Sequence, residues 1–294
     1  MSKILITGAT GNVASSVVRR LGAQRADVRA LVRDPDRAHH IAGDGVEMAV
    51  GDFARPESVR AALDGVDAVF LACGNVPDQA EHECAVIDEA ARSGVRRIVK
   101  LSARGAAIGA PAAYWHWHGL VERHLEESGV PAVVLQPGFL MTNLLAAADQ
   151  VRHQGMLFAP AAAARIAMVE PADVAAVAAV ALTTDGHDGR SYVLTGPEAI
   201  TYDQVARDLS AATGRQVGYV DIPPEAAVPA LVEAGLPPFA AQQIVTVFDA
   251  LRRGEQSTTT DDVRSLTGRA ARPFAAFARD HAAAFRVAES AWAH

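Results

Sequence analysis

Ile4-Leu5-Ile6-Thr7-Gly8-Ala9-Thr10-Gly11-Asn12-Val13-Ala14 is the stretch whose reading decides the fold. A short apolar run enters a G-x-x-G-x-x-A turn, and a helical pattern over 13–21 follows at once. Gly8 permits the tight turn, Gly11 lets the backbone approach a pyrophosphate, and Ala14 keeps the helix close to the strand. The helix N-terminus then offers free N–H groups and the positive end of its dipole to phosphate oxygens. Gly8, Thr10, Gly11, Asn12 and Val13 are therefore expected to hold a dinucleotide. The plainer alternative is a turn kept only for folding.

The same alternation continues to about residue 140. Strands are predicted at 3–7, 28–32, 46–50, 68–72, 97–101 and 132–135, and helices at 13–21, 56–63, 79–93 and 113–128. The strands are continuously apolar, as when helices cover both faces of a parallel sheet. Gly22, Gly65, Gly94 and Gly129 each read as a stop just past a helical run. Strand–helix–strand repetition implies right-handed crossovers. Beyond Pro137 the pattern gives a helix at 173–182, a strand at 191–194, a helix at 202–213 closed by Gly214, and a strand at 216–220. From Pro224 onward it is helical. The expected fold class is α/β, a doubly wound parallel Rossmann sheet with a smaller mixed, mainly helical C-terminal region. Residues 1–150 would form the NAD(P)-binding domain, with return segments near 165–196, and 197–294 the substrate-binding region.

Composition narrows the function. The 294 residues suffice for a large core. Twenty-seven basic and 34 acidic residues leave a net charge of −7, so no basic footprint for nucleic acid is expected. The longest apolar run, 174–182, is too short to span a bilayer. Two cysteines are too few for a disulfide framework. The opening residues pass straight into the first strand without an apolar leader. These readings predict a cytoplasmic protein, monomer or homodimer, with a small-molecule substrate and neither nucleic acid nor membrane as partner. Lys3 and Lys100 are the only lysines; the other basic residues are arginine.

Cofactor choice is set where the second strand ends. Arg33 stands there, 22 residues after Gly11, with Arg37 nearby. An arginine suits a 2′-phosphate, whereas an acidic residue suits a free ribose hydroxyl. NADP(H) is therefore expected in preference to NAD(H), although Asp34 is the next residue and a solvated surface arginine is the bland reading. Asp52 and Phe53 follow the third strand, as an adenine contact or, equally, as a helix cap ahead of Pro56. Further cofactor positions are the strand ends Ala72-Cys73-Gly74, Ser102 and Pro137-Gly138-Phe139. Cys73 reads as a small apolar residue rather than a nucleophile.

Thr7-Gly-Ala-Thr-Gly-Asn12, Val32-Arg-Asp-Pro35 and Gly51-Asp-Phe53 resemble the NmrA-like group of atypical short-chain dehydrogenases/reductases. Glu126-Glu-Ser-Gly-Val130, Leu135-Gln-Pro-Gly-Phe139, Leu194-Thr-Gly-Pro-Glu198 and Leu266-Thr-Gly-Arg269 extend the resemblance over nearly the whole chain. It implies a Rossmann domain with a smaller substrate domain. It implies either NAD(P)H-dependent reduction of quinones, azo dyes or alkenes, or a regulator that binds NADP without turnover.

The wider superfamily uses a serine, a tyrosine, and a lysine four residues after the tyrosine. Ser102 and Tyr114 match, but His118 occupies the lysine position, with Glu122 four residues further. Spacings of four place Tyr114, His118 and Glu122 on one helix face. A neutral imidazole carries no fixed charge, so it would lower a tyrosine pKa less than an ammonium does. Its own titration makes it a candidate proton donor. His118, Tyr114 and Ser102 are the catalytic candidates, for proton donation and oxyanion stabilisation. The alternative is an aromatic helix face over 114–118 that only packs. Neither lysine is expected to stand in: Lys3 lies at the wrong end of its strand, and Lys100 lies inside the fifth, pointing to that strand's opposite neighbourhood or capped by burial partners. His116 should face elsewhere, and no metal site is expected. Trp115, Trp117, Phe139, Met141 and Phe158 suit an apolar pocket or, equally, a core. The expected function is an NAD(P)H-dependent oxidoreductase acting on a small aromatic or quinone-like carbonyl or conjugated substrate. The alternatives are a non-catalytic NADP(H) redox sensor that binds a partner protein, and a biosynthetic enzyme doing non-redox chemistry on the same fold.

Overall fold

Apolar runs in the N-terminal half form parallel strands. The computed structural model describes residues 2–38, 41 and 45–286, and these form nine strands. They are β1 (Lys3–Ile6), β2 (Asp27–Val32), β3 (Val46–Val50), β4 (Ala68–Leu71), β5 (Arg97–Leu101), β6 (Ala132–Pro137), β7 (Met156–Ala159), β8 (Arg190–Leu194) and β9 (Gly218–Asp221). Seven build one sheet in the order β3-β2-β1-β4-β5-β6-β8, with every neighbouring pair parallel. The order reverses between β1 and β4, so the carboxyl ends of those strands flank a crevice where ligands bind in open α/β sheets.

The helices are α1 (Asn12–Ala23), α2 (Pro56–Ala62), α3 (Gln79–Arg92), α4 (Ala113–Glu127), α5 (Ala148–Gln154) and α6 (Pro171–Thr183). They continue with α7 (Tyr202–Thr213), α8 (Pro224–Glu233), α9 (Pro238–Arg252), α10 (Asp262–Thr267), α11 (Phe274–Asp280) and α12 (Ala282–Phe285). On one sheet face Leu5, Leu71 and Ile98 pack with Val59 of α2, Val86 and Ile87 of α3, and Val121 and Leu125 of α4. On the other, α6 packs on β4, β5 and β6 and against α1 and α10. That explains its Ala/Val composition: a helix enclosed on most sides needs no polar face.

The stop signals hold at Gly65, Gly94 and Gly129, which take positive φ. Gly22 corrects the expectation. It lies inside α1, and the chain turns later, at Arg25 (φ +58°). The fully buried Leu21 anchors that last turn, which outweighs the roughly 1 kcal/mol penalty of an interior glycine.

The chain divides into two units. The first holds Met1–Pro137, Pro171–Leu194 and Asp261–Arg269; the second holds Gly138–Glu170, Thr195–Thr260 and Ala270–His294. In the second, β9 pairs with β7, a strand the sequence pattern did not reveal. A 3-10 segment, Met141–Ala147, and α5 were also not anticipated. Its core is aromatic, with Phe248, Phe274, Phe277, Phe285 and Tyr202 buried together. Large rings supply apolar area, each worth roughly 1.5–3 kcal/mol when buried, that a two-stranded sheet alone does not. Among the described residues no helix is long and apolar enough to cross a membrane.

Candidate active site

The β1–α1 turn is held from below. Thr7 Oγ1 lies 3.1 Å from the Phe70 carbonyl and 3.0 Å from that of Ala72, and it accepts the Ala72 N–H at 2.9 Å. This hydroxyl ties the end of β1 to the end of β4, a role the sequence motif did not announce. Gly8 has φ +58°, and a Cβ there would sit 2.7 Å from the Ala72 carbonyl oxygen. The Gly11 N–H closes the turn onto the Gly8 carbonyl at 2.8 Å. Val13 and Ala14 are buried and anchor α1, while Thr10, Gly11 and Asn12 are exposed. Gly11 is the N-cap, no side chain caps this end, and the first turn contains no acidic residue. The glycine cradle and the uncapped helix end therefore fit a pyrophosphate.

Arg33 is exposed at the end of β2 and makes no ion pair with a described residue. Asp34 turns onto its own backbone: it caps the 3-10 turn Pro35–Arg37, accepting the Asp36 N–H at 3.0 Å. Arg33 is thus left as the charged group facing solvent at this strand end. The Arg37 side chain lies outside the described residues. Asp52 is not the cap of α2, whose N-cap is Arg55. Instead Asp52 Oδ1 accepts the Ala54 N–H at 3.1 Å, and Ser58 Oγ accepts the Asp52 N–H at 3.0 Å. Phe53 is half-buried, edge-on to His82.

At the end of β4, Ala72 is buried, Cys73 half-buried and Gly74 exposed. Burial, then Glu83, pushes the Cys73 thiol up to about 11, so it stays protonated at neutral pH. Ser102 ends β5 beside β6: its N–H bonds the Leu135 carbonyl at 2.7 Å, and the Arg104 N–H bonds that of Pro137 at 2.8 Å. Pro137 and Gly138 are buried. Phe139 packs in the second unit's core against Phe248, with Met141 buried in the same cluster, and the Phe139 N–H donates to Gln256.

The α4 helix carries the expected face. Its partner loop, 103–112, lies directly on it at Gly119, where a Cβ would come within 2.5 Å of the Ala107 carbonyl carbon. The Gly109 N–H donates to His116 Nδ1 at 2.9 Å, so His116 clamps that loop and does not join His118. Trp115 is buried against Gly105 rather than lining an open pocket. Tyr114 is half-buried and stacks with Trp117 at 5.6 Å between ring centroids. Burial raises its pKa, so it remains a phenol. Among the described contacts no hydrogen bond joins Tyr114 to Ser102 or His118.

Ser102 and Glu122 do meet. The Ser102 hydroxyl donates to Glu122 Oε1, which also accepts from Gln136 Nε2 at 3.0 Å. Its single proton is thereby committed, so Ser102 offers a ligand lone pairs rather than the donor expected from the sequence.

His118 is 8 % exposed and lies in a buried polar cluster. Lys100 Nζ is 3.1 Å from its Nδ1, and the Gln79 amide nitrogen is 3.2 Å from Nδ1 and 3.4 Å from Nε2. Lys100 in turn pairs with Glu83 at 2.9 Å, and neither side chain has any exposed surface. Of the two expectations for Lys100, capping by burial partners is the one observed, and the helix histidine is among those partners. Gln79 and Glu83 were missed as well. The available signal was two polar residues one turn apart on a helix next to the sheet.

Desolvation, then Lys100, holds the His118 pKa well below its usual 6.5. The sign follows. The unfolded chain takes up a proton near pH 6.5 that the folded chain refuses, so stability is full above that pH and declines below it. The limiting slope is about 1.4 kcal/mol per pH unit for one such group. His118→Gln should remove this part of the acid slope. Urea unfolding of both proteins between about pH 5 and 7.5 checks it; parallel curves would show that His118 does not titrate on unfolding.

Strand order, glycine cradle and strand-end side chains together define a dinucleotide-binding Rossmann unit. Comparison with known proteins makes this particular: residues 1–271 match the model of the NmrA-like family, and the chain belongs to that family. It is 39% identical over 285 residues to the NAD(P)H azoreductase of Xenophilus azovorans, covering 97% of this chain and all of that one. It is also 39% identical to (4-alkanoyl-5-oxo-2,5-dihydrofuran-3-yl)methyl phosphate reductase of Streptomyces griseus, over 96% of this chain and 99% of the other. Among solved structures, the NADPH-dependent quinone oxidoreductase of Escherichia coli in complex with NADPH superposes with a TM-score of 0.86. Identity there is 28%, covering 94% of this chain and 99% of that one.

Proposed function

We propose that the protein is an NADPH-dependent oxidoreductase that reduces a small aromatic, quinone-like carbonyl or conjugated substrate. The observation that carries this reading is the meeting of a phosphate cradle with polar strand ends where the sheet order reverses. Gly8 abuts Ala72 there, and Ser102 ends the next strand. The names of the relatives, an azoreductase and a quinone oxidoreductase, support the substrate class.

Gly8, Gly11 and the first turn of α1 would hold the pyrophosphate, and Arg33 the 2′-phosphate. Ala72, Cys73, Gly74, Ser102 and Pro137 would line the remainder. When bound, NADPH supplies a hydride, that is, two electrons. Reduction of a quinone to a hydroquinone then takes up one proton besides the hydride. Tyr114, kept as a phenol by burial, would supply a proton. Ser102, whose hydroxyl donates to Glu122, would accept a hydrogen bond from a ribose hydroxyl of the cofactor. His118, one turn beyond Tyr114, contributes a neutral ring.

Arg33→Ser tests the cofactor assignment during quinone reduction. Losing a bidentate charge-assisted contact of about 2 kcal/mol should raise the KM for NADPH roughly 30-fold and leave that for NADH unchanged. An equal change for both cofactors would remove Arg33 from the 2′-phosphate site.

A further inference from the structure

Lys100 has no exposed surface, yet each of its ammonium N–H groups has an acceptor. These are Glu83 Oε1 at 2.9 Å, His118 Nδ1 at 3.1 Å and the Leu101 carbonyl oxygen at 2.5 Å. Three donors meet three acceptors, and an ammonium has no lone pair to return. His118 Nδ1 must therefore accept, and so carries no hydrogen. The Gln79 amide nitrogen, also a donor, lies nearer Nδ1, at 3.2 Å, than Nε2, at 3.4 Å, and so agrees with an accepting Nδ1. The tautomer is thus decided by the Lys100 ammonium, which can only donate. In a neutral imidazole whose Nδ1 accepts, the proton sits on Nε2.

We propose that Lys100, held by Glu83, is a positioning residue that fixes His118 as the Nε2–H tautomer, so that α4 presents a hydrogen-bond donor to a ligand oxygen throughout the neutral pH range. The ligand oxygen is a ribose hydroxyl of the cofactor or the substrate carbonyl, and in that clause the inference rests on the proposed reductase function. The arrangement replaces a titrating acid with a constant donor. It also explains why a fully buried ion pair stands directly behind the helix face that carries Tyr114. The titratable groups around the ring are Lys100 from β5, Glu83 from α3, and Tyr114 and Glu122 one turn away on α4. Cys73 at the end of β4 feels both members of the pair, and its thiol remains protonated. A cation at Nδ1 and a buried ring both oppose a second proton, so the donor persists as pH falls.

The test is a long-range 1H–15N correlation spectrum of the full chain labelled at histidine nitrogens, recorded between about pH 5.5 and 8, where imidazoles ordinarily titrate. His118→Gln assigns the signal. The expected pattern is a protonated Nε2 and a bare Nδ1 that do not change over this range. In Lys100→Met combined with Glu83→Leu, which removes both charges and keeps side-chain volume, the ring stays buried and should show mixed tautomers. The quinone-reduction kcat of that variant should fall about tenfold, the equivalent of one charge-assisted hydrogen bond. An Nδ1–H ring in the wild type, or an unchanged spectrum in the double variant, overturns the proposal. If the double variant does not fold, the wild-type spectrum still decides. The spectra do not require turnover: an Nε2–H ring in a protein that reduces no quinone overturns the reductase reading and leaves the tautomer assignment standing.

Discussion

Glu83→Ala is expected to lower the unfolding free energy by about 3–5 kcal/mol, the cost of leaving a buried charge without its partner. Lys100 and Glu83 are both completely buried, and Glu83 provides the only carboxylate the lysine has among the described residues. The lysine side chain has no exposed surface, and the remaining acceptors, a carbonyl and an imidazole, carry no charge. Replacing both members together, as Lys100→Met with Glu83→Leu, should bring stability back close to wild type. Apolar pairs of similar volume substitute for buried ion pairs at little cost. Urea unfolding of the three proteins at pH 7.5 makes the comparison. Equal destabilisation in the single and double variants would mean that packing, not charge, is what Glu83 supplies.

Gly8→Val is the second large effect, and it falls on the cofactor. The backbone at Gly8 has φ +58°, where a β-branched residue is strained. The new Cβ would also lie 2.7 Å from a backbone oxygen that Thr7 holds in place. The turn must open, and the Gly11 to Gly8 hydrogen bond that shapes the phosphate cradle opens with it. NADPH affinity should fall at least about 100-fold, or roughly 2.7 kcal/mol. The control is Gly94→Val. Gly94 has φ +73°, and a Cβ added there would meet nothing within 4 Å, so it carries the same strain away from the turn. It should lose stability and keep its affinity. A fluorescence titration of NADPH distinguishes them, and comparable losses in both would show that strain, not the cradle, governs binding.

Much of the first unit was legible because its signals are local. A short apolar run, two glycines and a helical pattern suffice to place β1, the turn and α1. Parallel strands buried on both faces leave uninterrupted Val, Ile and Leu. What was not legible depends on approach through space. Thr7 reads as a neutral member of a glycine-rich turn until its hydroxyl is seen joining two strand ends. Asp34 and Arg33 compete for one role in the sequence, and only the side-chain direction of Asp34 separates them. The Lys100–Glu83–His118 cluster draws one residue each from β5, α3 and α4, at separations no periodicity links. The second unit hid β7 for another reason. Four residues of alternating burial carry too little pattern to register without the partner strand, which arrives some sixty residues later.

The two-lysine composition acquires a physical meaning here. One lysine lies on the surface end of β1, where it pairs with Glu47 at 2.9 Å. The other is buried beneath the α4 face and touches the histidine that stands four residues after Tyr114. The positive charge reaches this region from the strand side, through an imidazole.

Hydride transfer from bound NADPH to a quinone-like substrate can be followed in one catalytic cycle. The most direct measurement is an anaerobic single turnover: one equivalent of NADPH is bound to the protein, excess 1,4-benzoquinone is added, and absorbance at about 340 nm and hydroquinone are followed together. The account expects one hydroquinone for each NADPH lost, at a rate that Tyr114→Phe slows. NADPH that stays bound and unoxidised, with no hydroquinone above the protein-free rate, would contradict it.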